Sequence, residues 1–127
     1  MIASIGAIAA GGALGALSRH FMNHGIMALV RAPFPYGILS INILGSFLMG
    51  VLIALFAAKL DISQGWKLFL TTGFLGAFTT FSTFSLDTMA LITRGDMGGA
   101  VTYVFASVIL SLGAIFLGSW IVWKFFA

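Results

Sequence analysis

The sequence has very little charge and no glutamate. Among its 127 residues, six are Lys or Arg and three are Asp, whereas 61% are hydrophobic. A water-soluble domain carries charged side chains at about a quarter of its positions. So few charges cannot cover the surface of a soluble fold, and the mean hydropathy of +1.15 agrees with this conclusion. We therefore expect lipid to surround most of the protein.

Cysteine is also absent, which excludes disulfides, thiolate metal ligands and cysteine nucleophiles. The two histidines, His20 and His24, are not accompanied by further residues in a metal-ligand pattern, so a metalloenzyme is not expected. The basic residues are scattered singly and form no stripe that would follow a nucleic acid. We expect neither an enzyme nor a nucleic-acid-binding protein.

Charged residues divide the remaining sequence into long apolar runs. A helix needs about 20 apolar residues to cross the hydrocarbon of a bilayer. Helices are expected because lipid cannot satisfy the hydrogen-bonding groups of an open backbone. The sequence predicts an all-α, multi-pass integral membrane protein with a single transmembrane domain at 1–127. Its four spans are expected at about 2–30, 33–58, 65–93 and 97–125.

The basic residues give no direction of insertion. With four spans, one side of the membrane receives Lys59, Lys67 and Lys124, and the other receives Arg19, Arg31 and Arg94. The positive-inside rule therefore does not decide the topology. One interpretation is that the first span sets the orientation by other means. The other is insertion in both orientations, which would allow an antiparallel dimer with a two-fold axis in the membrane plane.

The third span has an unusual centre. Gly73 and Gly76 are followed by a cluster of Ser and Thr residues between Thr79 and Ser85. This pattern is typical of a helix interrupted near the middle of the bilayer, where free carbonyls and amides can hold ions. The alternative is a continuous helix whose hydroxyls bond to the preceding turn or to a neighbouring helix. We favour the interruption.

Two phenylalanines lie within this hydroxyl cluster. Phe81 and Phe84 are three residues apart and share one face of a helix. Such a pair is usually a packing feature. However, an aromatic ring has a positive edge, so rings presented edge-on would favour a small anion without the full charge that would trap it.

Polar residues also occur in the other spans. Asn42 is the only amide expected in the second span, and its NH₂ group offers two donors to a polar path or to another helix. Tyr103, Ser107 and Ser111 follow one another at intervals of four residues on one face of the last span. Spacing alone leaves helix packing and pore lining equally open. Arg19 either extends towards the membrane surface or attracts anions into a vestibule.

Three segments together resemble the Fluc (CrcB) family of fluoride channels. The long, specific segment Gly73–Ser85 is similar to the family signature, and Gly11–Arg19 and Asn42–Gly50 resemble its motifs in the first and second spans. The resemblance covers essentially the whole chain. It implies a passive, fluoride-selective channel in the cell (plasma or inner) membrane that exports cytoplasmic fluoride and protects the cell from fluoride toxicity.

The resemblance also implies an assembly and a set of site residues. The expected form is an antiparallel dual-topology homodimer with two fluoride pores. A structural sodium ion would lie at its centre, held by the backbone carbonyls of Gly76 and Thr79 from both copies. Arg19 matches a vestibule arginine. The positions matching the fluoride pore are Asn42, Phe81, Phe84, Ser82, Thr83, Tyr103, Ser107 and Ser111.

The sequence departs from the family pattern at a few positions outside the hydroxyl cluster. Ala77 replaces a usual second glycine, Asp87 a frequent glutamate, and His20 a usual aromatic residue. Ile38 stands where the family often has threonine, which puts a polar contact at that pore mouth in doubt.

Other classes of membrane protein remain as alternatives. A dual-topology carrier similar to the small multidrug exporters has four short spans, but it depends on a glutamate in the first one, and this chain has none. A structural subunit would use the same polar residues only to hold helices together. A membrane enzyme is the least favoured alternative.

Overall fold

A computed structural model describes residues 1–58 and 61–126. All regular elements in these two ranges are helical. Three helices are long and apolar enough to cross a membrane: α1 (Ile2–Val30), α2 (Tyr36–Ala58) and α6 (Met97–Phe126). The expected all-α membrane fold is therefore confirmed. Lys59, one of the six charges in the topology argument, lies outside the described residues.

The chain between α2 and α6 forms a series of shorter helices. Its elements are α3 (Gln64–Leu68), a π-helical segment (Phe69–Leu75), α4 (Gly76–Phe78) and α5 (Phe81–Thr93). The first three follow one another without a gap, and α5 begins after two non-helical residues. This series occupies the place of the third expected span.

The boundaries of the helices follow local sequence. Helix α2 begins at Tyr36, later than expected, because Pro35 disfavours a helical conformation of the residue before it. After α5, Gly95 takes a positive φ of 86° that suits glycine. Asp96 then accepts a hydrogen bond from the Gly99 amide at 2.8 Å and so caps the start of α6.

Helices α2 and α6 approach each other closely at two glycines. A Cβ atom at Gly50 would collide with the carbonyl oxygen of Ile115, and one at Gly118 would collide with that of Phe47. Small residues permit such main-chain contact between membrane helices. The second and last spans therefore form a tightly packed pair.

Helix α1 makes a similar contact with the π-helical segment. A Cβ atom at Gly11 would collide with the carbonyl oxygen of Phe69, and one at Gly15 with that of Phe74. The two glycines are four residues apart and lie on one face of α1. Main-chain contact along this face holds α1 against the first half of the interrupted series.

The buried core lies among α2, the end of the π-helical segment, α4, α5 and α6. Its fully buried members include Ile41 and Tyr103, each 0% exposed, and Leu91. In contrast, large apolar side chains such as Phe116 and Trp120 point outwards from α6. An apolar exterior of this kind fits a chain surrounded by lipid.

Candidate functional site

The site is built around two extended residues between α4 and α5. Thr79 has φ −79° and ψ 154°, and Thr80 has φ −152° and ψ 124°. The Thr80 hydroxyl accepts a hydrogen bond from the Thr83 amide at 3.2 Å, so it is the N-cap of α5. The same hydroxyl donates to Thr83 Oγ1 at 3.2 Å and lies 3.5 Å from Ser82 Oγ.

Asn42 on α2 pairs with the main chain of Thr80. Its Nδ2 donates to the Thr80 carbonyl at 3.1 Å, and its Oδ1 accepts from the Thr80 amide at 2.8 Å. In a continuous helix that amide would donate to the carbonyl of Gly76, four residues earlier. The Asn42 side chain therefore replaces the hydrogen bond that the Thr80 amide cannot make within a helix, and it adds a donor to the Thr80 carbonyl.

Neighbouring carbonyls are also occupied. The Leu75 carbonyl accepts from the amide and the hydroxyl of Thr79, at 3.0 and 2.8 Å. The Ala77 carbonyl accepts from Arg19 Nη1 at 2.8 Å. With the bond from Asn42 to Thr80, the carbonyls of Leu75, Ala77 and Thr80 all have donors. Within residues 1–58 and 61–126, no comparable donor is found for the carbonyls of Gly76, Phe78 and Thr79.

A groove of about 440 Å³ runs along the chain at this interruption and is open on one side. Helices α2, α4, α5 and α6 and the extended residues all contribute to its lining. The lining residues are Asn42, Ser46, Gly76, Thr79, Thr80, Phe81, Phe84, Ser107, Val108, Ser111 and Leu112. The groove therefore combines amide and hydroxyl groups with aromatic rings.

The two phenylalanines of the groove differ in exposure. Their ring centroids are 5.4 Å apart and their planes are inclined at 48°. Phe84 is buried at 8% exposure, whereas Phe81 is 78% exposed in the single chain. Phe84 also lies 5.2 Å from the Tyr103 ring. One ring is thus fixed in the core, and the other projects from the open side.

Ser107 and Ser111 bring hydroxyl groups to the wall formed by α6. Neither Oγ atom has a hydrogen-bond partner among the described residues, although both atoms are buried. Buried polar groups are usually paired, because leaving one unpaired costs about 1–3 kcal/mol. These hydroxyls are therefore available to donate to a ligand in the groove.

Some residues expected at the pore or in its vestibule lie beside the groove instead of lining it. Tyr103 is fully buried, and its hydroxyl donates to Asp87 Oδ2 at 3.0 Å. Ser82 and Thr83 contact the Thr80 cap. Arg19 reaches the end of α4 through the Ala77 carbonyl.

Two polar residues of the groove were not singled out from the sequence. Ser46 lies four residues after Asn42, so the helical repeat placed both on one face of α2. Thr80 belongs to the recognised hydroxyl cluster, but its part in pairing with Asn42 had no signal in the sequence. Which residues of two distant segments form a hydrogen bond depends on how the helices pack.

A cation in this region would be held by neutral oxygen atoms, among them main-chain carbonyls. Within residues 1–58 and 61–126, no group of three or more His, Cys, Asp or Glu side chains is placed to hold a metal ion. Hard cations accept carbonyl oxygens as ligands. Gly76 is exposed at the surface of the single chain and Thr79 is half-buried, so their carbonyls fit such a donor set.

Comparisons with known proteins agree on one family. The family described as CrcB-like protein, Camphor Resistance (CrcB), matches residues 6–119. The fluoride-specific ion channel FluC of Nitrobacter winogradskyi is 47% identical over 116 residues, which are 91% of this chain and 92% of that protein. FluC of Granulibacter bethesdensis is 50% identical over 84% of both chains. FluC of Cereibacter sphaeroides is 48% identical over 93% of both.

Proposed function

The chain belongs to the CrcB-like family, and we propose that it is a passive, fluoride-selective ion channel. It is a multi-pass protein of the cell membrane and not an enzyme. Its role is to export cytoplasmic fluoride and so to protect the cell from fluoride toxicity. The observation that carries this proposal is the groove in which the Phe81–Phe84 pair meets the unpaired hydroxyls of Ser107 and Ser111.

A passive pore is sufficient for export. Fluoride enters an acidified cell as its neutral conjugate acid and ionises in the cytoplasm, where the anion is trapped. A membrane potential that is negative inside favours exit of the anion by about 2.3 kcal/mol per charge and 100 mV. No coupling to protons or to ATP is needed.

Selectivity requires the pore to replace the water around a small, strongly hydrated anion. Hydroxyl donors such as Ser107 and Ser111 can take over some of those hydrogen bonds. Ring edges of Phe81 and Phe84 add weak positive potential without a full charge. Binding then remains weak enough for release.

We propose that a second, antiparallel copy closes the open side of each groove. Phe81 and Gly76 are exposed in the single chain although they lie at its polar centre, which supports a covering partner. The equal numbers of basic residues at the two ends support insertion in both orientations. In this assembly the extended residues of both copies would lie near the middle of the bilayer, with one pore on each side.

We further propose that a sodium ion lies between the two copies. The Arg19 bond occupies the Ala77 carbonyl, which favours the neighbouring carbonyls of Gly76 and Thr79 as ligands. When bound, sodium would supply a positive charge that joins the two interrupted spans. The carbonyl oxygens of this chain would orient towards it.

Fluoride efflux from liposomes tests the channel function. Purified protein is placed in vesicles, a potassium gradient with valinomycin supplies the driving potential, and electrodes follow fluoride and chloride. The proposal predicts rapid loss of fluoride without loss of chloride. Efflux of both anions alike, or of neither from folded protein in sodium, would reject it in favour of a carrier or a structural subunit.

Paired variants connect the flux to the groove. Phe81→Ile removes the exposed ring of the pair and is expected to slow fluoride efflux strongly. Phe125→Ile makes the same change near the end of α6, at a side chain that is 67% exposed and does not line the groove. Its flux should equal that of the unmodified protein. Equal flux from both variants would contradict the Phe-lined path.

A further inference from the structure

Arg19 makes a contact that its expected place in a vestibule does not explain. Its Nη1 atom donates to the carbonyl oxygen of Ala77 at 2.8 Å, and the two residues are far apart in sequence. In a continuous helix this carbonyl would accept from the amide of Phe81. That bond is not available, because Phe81 begins a new helix after two extended residues.

The packing of α1 brings Arg19 to this carbonyl. Gly11, Gly15 and Arg19 follow one another at intervals of four residues and share one face of the helix. The two glycines lie in main-chain contact with Phe69 and Phe74. One turn further along, the same face presents the Arg19 side chain to the end of α4.

Electrostatics favours a cation at this position. The residues from Gln64 to Phe78 form one uninterrupted helical stretch that ends beside Arg19. The last carbonyls of a helix carry partial negative charge, so a guanidinium there is favourable. A charged donor also forms a stronger hydrogen bond than a neutral one.

We propose that Arg19 is a positioning residue that fixes the end of α4 by supplying the missing donor to the Ala77 carbonyl. It acts from α1 on one side of the interruption, and Asn42 acts from α2 on the other. Between them, the two side chains hold residues 77–80 in the geometry that places Phe81 at the groove. This inference rests on the proposed channel function only for its effect on fluoride flux.

Hydrogen exchange tests the positioning role without any transport assay. Amides at Thr79, Thr80 and Phe81 are compared by mass spectrometry in the unmodified protein, Arg19→Met and Arg19→Lys. Arg19→Met keeps a long side chain but removes the donor, and should accelerate exchange about tenfold, as expected for one lost charged hydrogen bond. Arg19→Lys retains a donor and should restore most of the protection.

Arg31→Met is the matched control. Arg31 lies just after α1 and is exposed, and its side chain donates only to the nearby Ala28 carbonyl among the contacts described. In Arg31→Met, amide exchange at Thr79–Phe81 should equal that of the unmodified protein. Unchanged exchange in Arg19→Met would overturn the proposal. If Arg19→Met does not fold, Arg19→Leu, which also lacks a donor, gives the same comparison.

Flux at different ionic strengths separates positioning from anion attraction. Salt screens an exposed charge, with a Debye length falling from about 30 Å at 0.01 M to about 3 Å at 1 M. A positioning role predicts that the flux deficit of Arg19→Met persists at high salt. A deficit that disappears at high salt would show anion attraction and overturn the proposal. If the unmodified protein carries no fluoride, the channel proposal fails, and hydrogen exchange still decides the role of Arg19.

Discussion

The side-chain amide of Asn42 bonds to both main-chain groups of Thr80. Its Nδ2 donates to the Thr80 carbonyl at 3.1 Å, and its Oδ1 accepts from the Thr80 amide at 2.8 Å. One residue of α2 thereby satisfies the backbone at the start of α5. Helix α5 carries Phe81 and Phe84, so the direction of the two rings depends on this pairing. Asn42 thus has a structural task in addition to the donor that its NH₂ group retains for the groove.

Asn42→Ala is expected to lower the free energy of unfolding by about 1–2 kcal/mol, since the Thr80 amide loses its partner in a partly buried site and the Thr80 carbonyl loses one of its donors. Denaturant titration of the purified protein measures the change. Ser40→Ala, on the same helix and without a described hydrogen bond, should change stability by less than about 0.5 kcal/mol. Equal stability of the two variants would contradict the structural role of Asn42.

Glycine contacts between α2 and α6 predict a second pair of results. Gly118→Ala should destabilise the fold by about 1–3 kcal/mol, because its new methyl group would collide with the Phe47 carbonyl oxygen. At Gly113, on the same helix, no atom of the described residues lies within 4 Å of an added Cβ atom. Gly113→Ala should therefore be neutral or slightly stabilising. Destabilisation by both changes alike would argue against the close approach.

Dual topology can be measured directly, because the natural chain has no cysteine. Gln64→Cys and Met97→Cys place single thiols at exposed positions at the beginnings of α3 and α6, which lie at opposite ends of the bundle. A membrane-impermeant maleimide is applied to intact cells. Insertion in both orientations predicts partial labelling, near half, at each position. Full labelling at one and none at the other would show a single orientation.

Removal of sodium tests the proposed central ion. Protein purified and reconstituted with N-methylglucamine in place of sodium should lose most of its fluoride flux, since the carbonyls of Gly76 and Thr79 would lack a cation between the two copies. Sodium added back should restore it. Full flux and unchanged stability without sodium would contradict the proposed sodium ion between the two copies.

The sequence was sufficient for the membrane class because hydropathy alone determines it. The runs that became α1, α2 and α6 each contain a stretch of 18 residues that is apolar enough to cross a membrane. The start of α2 could be placed only approximately, because two prolines precede it and the residue before a proline disfavours the helical conformation. The π-helical segment carried no local signal, and its contacts with Gly11 and Gly15 exist only in the folded chain.

The site was predictable to the extent that it follows helical spacing. Ser107 and Ser111 are four residues apart and both line the groove. Tyr103 shares that spacing but is buried against Phe84 and bonded to Asp87. No periodicity predicts which residue donates to a particular carbonyl, so the bond from Arg19 to Ala77 emerged only from the structure.

The most direct test of a passive fluoride-selective channel is its reversal potential in a planar bilayer with both anions on both sides and the fluoride and chloride gradients in opposite directions. The account predicts a current carried by fluoride, with a reversal potential close to the equilibrium value for fluoride. A reversal potential that follows chloride, or no current from protein that is folded and supplied with sodium, would contradict it.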